Sequence, residues 1–315
     1  MAEEKLAKIS PRLIMDYPLR ENIVGKAATF VDDMILNING EKVFTTMGVT
    51  PNKVFLLHGP PGCGKTRSIK VINNEINKQV LEEQVKDEKK RDVKIPLEKI
   101  KLVCLEYSIG TFGTAFINMG SRNMQKFFDV AYGYANYGVP TMMVFDEVDD
   151  LLVQRKSSSV HSEDKKLLET LMKNLQIAHS EPNTYVVMMS NLPELCDEAS
   201  LRAGRVDKRY EFALPNGKER KEAYTNFIYA KNNLAGYSVV RNYNINTLAE
   251  MSKGFNYADI KGIVDGTIRK RCKEIICKRR NKVVTKGYVQ QKRLEQMIIE
   301  HNASFKQKKS QIGFK

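Results

Sequence analysis

Val54-Phe-Leu-Leu-His-Gly-Pro-Pro-Gly-Cys-Gly-Lys-Thr66 is the stretch on which the fold turns. Val54 to His58 reads as a short buried strand that feeds a glycine-rich turn. Gly59-Pro60-Pro61-Gly62-Cys63-Gly64-Lys65-Thr66 satisfies G-x-x-x-x-G-K-[ST], and Ile69, Ile72 and Ile76 beyond it predict a helix. Strand, turn and helix in that order are the context a phosphate-binding loop requires. Glycines let backbone N–H groups turn inward around phosphates, and the helix N-terminus adds its positive dipole end. Lys65 is then expected to reach the β/γ-phosphates of a nucleoside triphosphate and Thr66 to hold Mg²⁺, with Gly59 to Arg67 lining the site. A plain Gly/Pro turn ending in lysine is the alternative, and the flanking elements weigh against it.

Further along, Met142-Met-Val-Phe-Asp146-Glu147 predicts a second buried strand that ends in two acids. Asp146 at the strand tip suits the Mg²⁺ shell, and Glu147 suits polarising an attacking water. An exposed acidic turn continued by Asp149 and Asp150 is the competing reading. Other strand-like runs occur at 101–106, 185–189 and 209–214. Helical patterns lie at 24–38, 124–134 and 164–178. Alternation of this kind predicts an α/β fold with a mostly parallel sheet covered on both faces. After Leu214-Pro-Asn-Gly217 strand signals fade and a helical stripe of Ile260, Ile263, Val264 and Ile268 appears.

The 315 residues suit two domains, and 42% hydrophobic content suits a sizeable core. No stretch nears the roughly 20 apolar residues of a membrane span, and the charged start shows no signal peptide. The five cysteines, Cys63, Cys104, Cys196, Cys272 and Cys277, have no CxxC spacing, so a reducing, cytoplasmic setting is expected. The net charge of +14 is local: residues 269–315 hold 15 Lys+Arg against 3 Asp+Glu. Arg269-Lys-Arg271 and Lys278-Arg-Arg280 raise nucleic acid or another acidic surface as a possible partner. No aromatic residues are interleaved with those clusters, and a solvated basic face is the commoner explanation of such runs.

Taken with Met189-Ser-Asn191-Leu-Pro and Leu201-Arg202-Ala-Gly-Arg205-Val-Asp207, these motifs resemble the AAA ATPases, the clade of proteasomal ATPases, membrane-anchored AAA proteases and microtubule-severing enzymes. The resemblance implies a P-loop NTPase parallel sheet sandwiched by helices, followed by a small all-helical lid. The expected boundaries are an N-terminal arm at 1–20, a large nucleotide-binding domain at 21–216 and the lid at 217–315. It implies that Asn191 senses the γ-phosphate or the attacking water. Arg202 and Arg205 would project into a neighbouring subunit's nucleotide, where the alternative is that they pair with surface acids. Ile23-Val24-Gly25 would lie along the adenine edge. Gly254-Phe-Asn-Tyr-Ala258-Asp259 would be the lid motif, with Ala258 near the base. The lid helix start carries no sensor arginine, unlike DNA-loading and initiator relatives.

Phe116-Ile117-Asn118 falls at the clade's pore loop, usually aromatic, aliphatic and glycine, so that Asn118 departs from the pattern. The alternative places Phe116 and Ile117 in a helix core. Phe227 stands where many members have a histidine. The function implied is an Mg²⁺-ATP-driven remodeller of protein substrates, working as a homo-oligomeric ring, a hexamer. About 20 residues precede the core. Substrate choice is therefore expected to rest on an adaptor, the short arm or the basic end.

Overall fold

The computed structural model describes residues 23–79, 97–108, 119–149, 162–192, 205–278 and 287–312. The chain divides into two compact units. The first comprises Met1–Arg20, Lys26–Pro60 and Lys65–Phe212; the second comprises Glu21–Gly25, Pro61–Gly64 and Ala213–Lys315.

The first unit is built on five parallel strands: β1 (Val54–His58), β2 (Val103–Ser108), β3 (Thr141–Asp146), β4 (Thr184–Ser190) and β5 (Lys208–Glu211), in the order β2-β3-β4-β1-β5. Its helices are α1 (Lys26–Thr46), α2 (Lys65–Ile76), α3 (Met119–Asn136) and α4 (Ser162–Ser180). The central strands read as unbroken apolar runs because helices cover both faces. Edge strand β2 alternates instead, with Val103, Leu105 and Tyr107 inward and Glu106 exposed. On one face Phe145 stacks on Phe128 at 5.3 Å, within a core that includes Met124, Leu171 and Leu175. Elsewhere in the unit Phe30 of α1 meets Phe55, Tyr210 and Phe212 edge-on at 6.0, 5.2 and 6.3 Å.

Among the boundaries that differ from the sequence reading, three have a local reason. The strand expected at 101–106 starts at Val103, because Asn77 Oδ1 accepts the N–H groups of Lys101 (3.0 Å) and Leu102 (3.2 Å) and holds them in a turn. Helix α1 runs on to Thr46 through Asn37, Asn39 and Gly40, poor helix formers that hide the periodicity. The Tyr185 hydroxyl oxygen lies 3.0 Å from the Asn37 carbonyl oxygen in that stretch. The strand expected at 209–214 ends at Glu211, with a last rung from Phe212 N to His58 O at 2.7 Å before the chain reaches Pro215.

The second unit is helical: α5 (Gly217–Ala235), α6 (Ile245–Met251), α7 (Tyr257–Lys278) and α8 (Gln291–Ile312). Asn216 and Glu219 form a capping box at the start of α5, and Gly236, at φ 68°, ends the helix in a left-handed turn. Ile260, Ile263 and Val264 of α7 are buried with Tyr224, Ile228, Leu248, Leu294 and Ile298, and Ile268 packs against them partly buried. One feature carries no sequence signal: two-residue strands β6 (Val240–Arg241) and β7 (Val289–Gln290) pair in parallel.

Candidate functional site

In the first unit the chemically loaded residues gather at the carboxyl edge of the sheet, where open parallel sheets bind ligands. Gly59 follows β1, Asp146 ends β3, and Asn191 follows β4. Register fixes their neighbourhood: β1 lies beside β4 with His58 opposite Ser190, and β4 lies beside β3 with Met188 opposite Phe145. Gly59 N donates to Ser190 O at 3.3 Å, and Val148 N donates to Met189 O at 3.1 Å, which ties the strand tips together. Lys65, only 8% exposed, donates through Nζ to the carbonyls of Gly59 (2.5 Å) and Pro60 (3.2 Å) and to Asn191 Oδ1 at 2.9 Å. Two residues 126 positions apart are thus joined by one charge-assisted bond.

Asp146 Oδ1 accepts the Glu147 backbone N–H at 2.9 Å, and Glu147 stands exposed at φ 58°. Thr66 is exposed in the first turn of α2, and Arg67 behind it is partly buried. At Gly59, with φ 137°, a Cβ would run into the carbonyl oxygen of Phe212, so the loop leaves β1 by a path open only to glycine. Arg205 is partly buried just ahead of β5.

In the second unit Pro61, Gly62, Cys63 and Gly64 lie with the start of α7. Ala258 N donates to Gly62 O at 3.2 Å, and Asn256 Nδ2 donates to Pro61 O at 3.3 Å. Cys63 is buried and Ala258 exposed. Ile23 and Val24 are buried. A Cβ on Gly25 (φ 65°) would run into the Glu219 carboxylate and come within 3.4 Å of the Tyr257 hydroxyl. Burial first, and then the Glu219 carboxylate, drives the Tyr257 phenol well above its ordinary pKa. Phe227 is buried in the helical core.

Arg202, Phe116, Ile117 and Asn118 lie outside the described residues, as do Arg279 and Arg280. Part of the basic end is neutralised internally. Lys270 meets Glu300 at 3.1 Å, and Arg271 and Arg293 share Glu274 at 3.1 and 2.6 Å. The Arg293 guanidinium holds the Glu274 carboxyl below the usual carboxylate range. No helix among the described residues is long and apolar enough to cross a membrane.

Sequence reasoning gave no role to Asp207, Glu219, Asn256 or Tyr257. Asp207 Oδ2 accepts the N–H groups of Lys53 (2.7 Å) and Val54 (2.9 Å) and so pins the start of β1. For two of the others a signal was available: Asn216-x-x-Glu219 and Asn256-x-x-Asp259 are both capping-box spacings.

The geometry agrees with the comparisons. The family described as "ATPase family associated with various cellular activities (AAA)" matches residues 55–214, and the chain belongs to it. It is an AAA ATPase. Among curated proteins it is similar to the proteasome-activating nucleotidase of Methanothermobacter thermautotrophicus, at 29% identity over 72% of this chain and 48% of that one. The proteins of that name from Thermococcus onnurineus and Saccharolobus solfataricus are each 28% identical. They cover 86% and 72% of this chain, which covers 61% and 50% of theirs. The chain therefore spans about half to three fifths of the length of these relatives.

Proposed function

We propose that this chain hydrolyses Mg²⁺-ATP as one subunit of a homo-oligomeric ring, a hexamer, that grips and pulls protein substrates. The chief support is the bond from Lys65 Nζ to Asn191 Oδ1, at the sheet edge that also carries Asp146 and Glu147. The residues fit the group they would hold. Glycine at 59 and 62 lets the loop turn where a Cβ would meet the Phe212 carbonyl and the Asn256 amide, and Thr66 and Asp146 offer the oxygen donors a hard cation takes. Mg²⁺ bound there would draw off charge that develops on the phosphates.

Lys65 and the loop's N–H groups orient the β/γ-phosphates, and Asn191 shares the lysine and faces the attacking water. Glu147 takes that water's proton as its oxygen bonds to the γ-phosphorus and ADP leaves. Arg202 and Arg205 act on the neighbouring subunit's nucleotide, and Val24, Gly25 and Ala258 line the base. The large domain is taken as 21–216 and the lid as 217–315, with residues 1–20 an arm. Phe116 and Ile117 would wedge between side chains of an extended polypeptide delivered by an adaptor. The name shared by the relatives supports a protein substrate.

The test is a pair of variants assayed for ATP binding and phosphate release. Lys65→Ala is expected to abolish binding. Glu147→Gln is expected to keep binding and lose turnover by orders of magnitude, and to retain bound protein in an ATP-dependent pull-down. Undiminished turnover in Glu147→Gln removes that residue from the base role. Stimulation of the wild type by DNA or RNA, and not by an unfolded protein, sinks the remodelling reading.

A further inference from the structure

The segment Pro61–Gly64 is the middle of the nucleotide loop. Two glycines with positive φ, Gly62 at 78° and Gly64 at 101°, make it conformationally loose. The start of α7 restrains it. Asn256 Oδ1 accepts the Asp259 N–H at 2.8 Å while Asn256 N donates to Asp259 Oδ2 at 3.0 Å, a reciprocal helix cap. That cap fixes the rotamer and the amide orientation, because the oxygen must face the helix. Nδ2 is left pointing the other way, and it donates to Pro61 O at 3.3 Å. The next turn of backbone adds a second tie, from Ala258 N to Gly62 O at 3.2 Å. The fit is close: a Cβ on Gly62 would come within 2.7 Å of the Asn256 amide.

We propose that Asn256 is a positioning residue for nucleotide binding. Its one amide group caps α7 with the oxygen and holds the loop at Pro61 with the nitrogen, so that the loop's N–H groups stay arranged for phosphate. The proposal rests on the nucleotide reading above, and it concerns affinity rather than the chemical step.

Two variants separate the cap from the tie. Asparagine, aspartate and serine are nearly equal as helix caps. Asn256→Asp keeps the cap and replaces the donor at Pro61 with an acceptor. Asn256→Ser keeps a cap, adds no charge and is too short to reach Pro61. Each full-length variant is assayed for Mg²⁺-ATP KM and kcat, for unfolding midpoint, and for maleimide labelling of Cys63 without nucleotide, located by peptide mass analysis. Cys63 is 2% exposed in the restrained loop.

The expected result is an unchanged unfolding midpoint, a KM raised roughly tenfold in Asn256→Asp and severalfold in Asn256→Ser, a kcat close to wild type, and faster Cys63 labelling in both. Unchanged KM and unchanged labelling overturn the proposal. So does a loss confined to kcat. Faster labelling in the variants of a wild type that binds no ATP upholds the loop restraint and sinks the nucleotide reading instead.

Discussion

Lys53, with 3% of its surface exposed, would be costly to bury without partners. Its Nζ lies 3.1 Å from Glu41 Oε1 and also donates to the Glu181 carbonyl, while Glu41 Oε2 accepts the Tyr185 hydroxyl at 2.7 Å. Burial first, and then the bond to Glu41, drives the Tyr185 phenol far above its ordinary pKa. Burial and Asp33 do the same at Tyr210, and burial pushes Tyr224 up to about 12. A group whose pKa is raised on folding contributes stability that is whole below its unfolded value and is lost as pH rises through the folded one. For these phenols the loss therefore begins near pH ~10, the unfolded value. Among the 13 tyrosines, the phenolate absorbance should rise first for exposed residues and lag for Tyr185, Tyr210 and Tyr224, with the unfolding midpoint falling over the same range. Simultaneous ionisation of all of them in a chain that keeps its native circular dichroism would contradict this.

Strand β1 and the turn behind it form the element on which the site depends. Its boundaries coincide with the sequence reading because both ends are chemically marked: Asp207 pins the start and Gly59 terminates it. Gly59→Ala places a Cβ against the Phe212 carbonyl and demands a φ that alanine avoids. It is expected to cut ATP affinity at least as severely as Lys65→Ala and to lower the unfolding midpoint, which Lys65→Ala should leave closer to wild type. Nucleotide titration and thermal unfolding of the two variants check this. The loop and the acid pair were legible in the sequence because each ends an apolar run at a motif spacing, whereas Asn191 was singled out through the family resemblance. The β2 start was not, since the Asn77 side chain that sets it is 26 positions away from Val103. The roles of Glu219 and Asn256 were hidden for a related reason. Their cap spacings are local, but what the outward half of each side chain touches depends on tertiary structure.

For the whole molecule the sheet is parallel throughout its described strands, and the helical second unit has its own core. Two of the three acids in 269–315, Glu274 and Glu300, are engaged by Lys270, Arg271 and Arg293, which leaves the segment's excess of basic charge unchanged. If Arg202 and Arg205 complete a neighbour's site, turnover belongs to the assembly and not to the chain. Specific ATPase activity should then fall as the protein is diluted, in step with the loss of the large species in light scattering. Activity independent of concentration would remove both arginines from the catalytic set.

Three non-glycine residues among those described have positive φ, and two of them, Asn183 and Asn242, are of a type that adopts this backbone readily. Glu147 is the third, and holding a glutamate there costs about 1 kcal/mol. Glycine would relieve the strain and carry no carboxylate. If Glu147 is the base proposed above, stability and chemistry ask for different residues at this one position. A stability-guided redesign of the protein, blind to turnover, would then choose glycine at 147 and deliver a sturdier molecule without its proposed base.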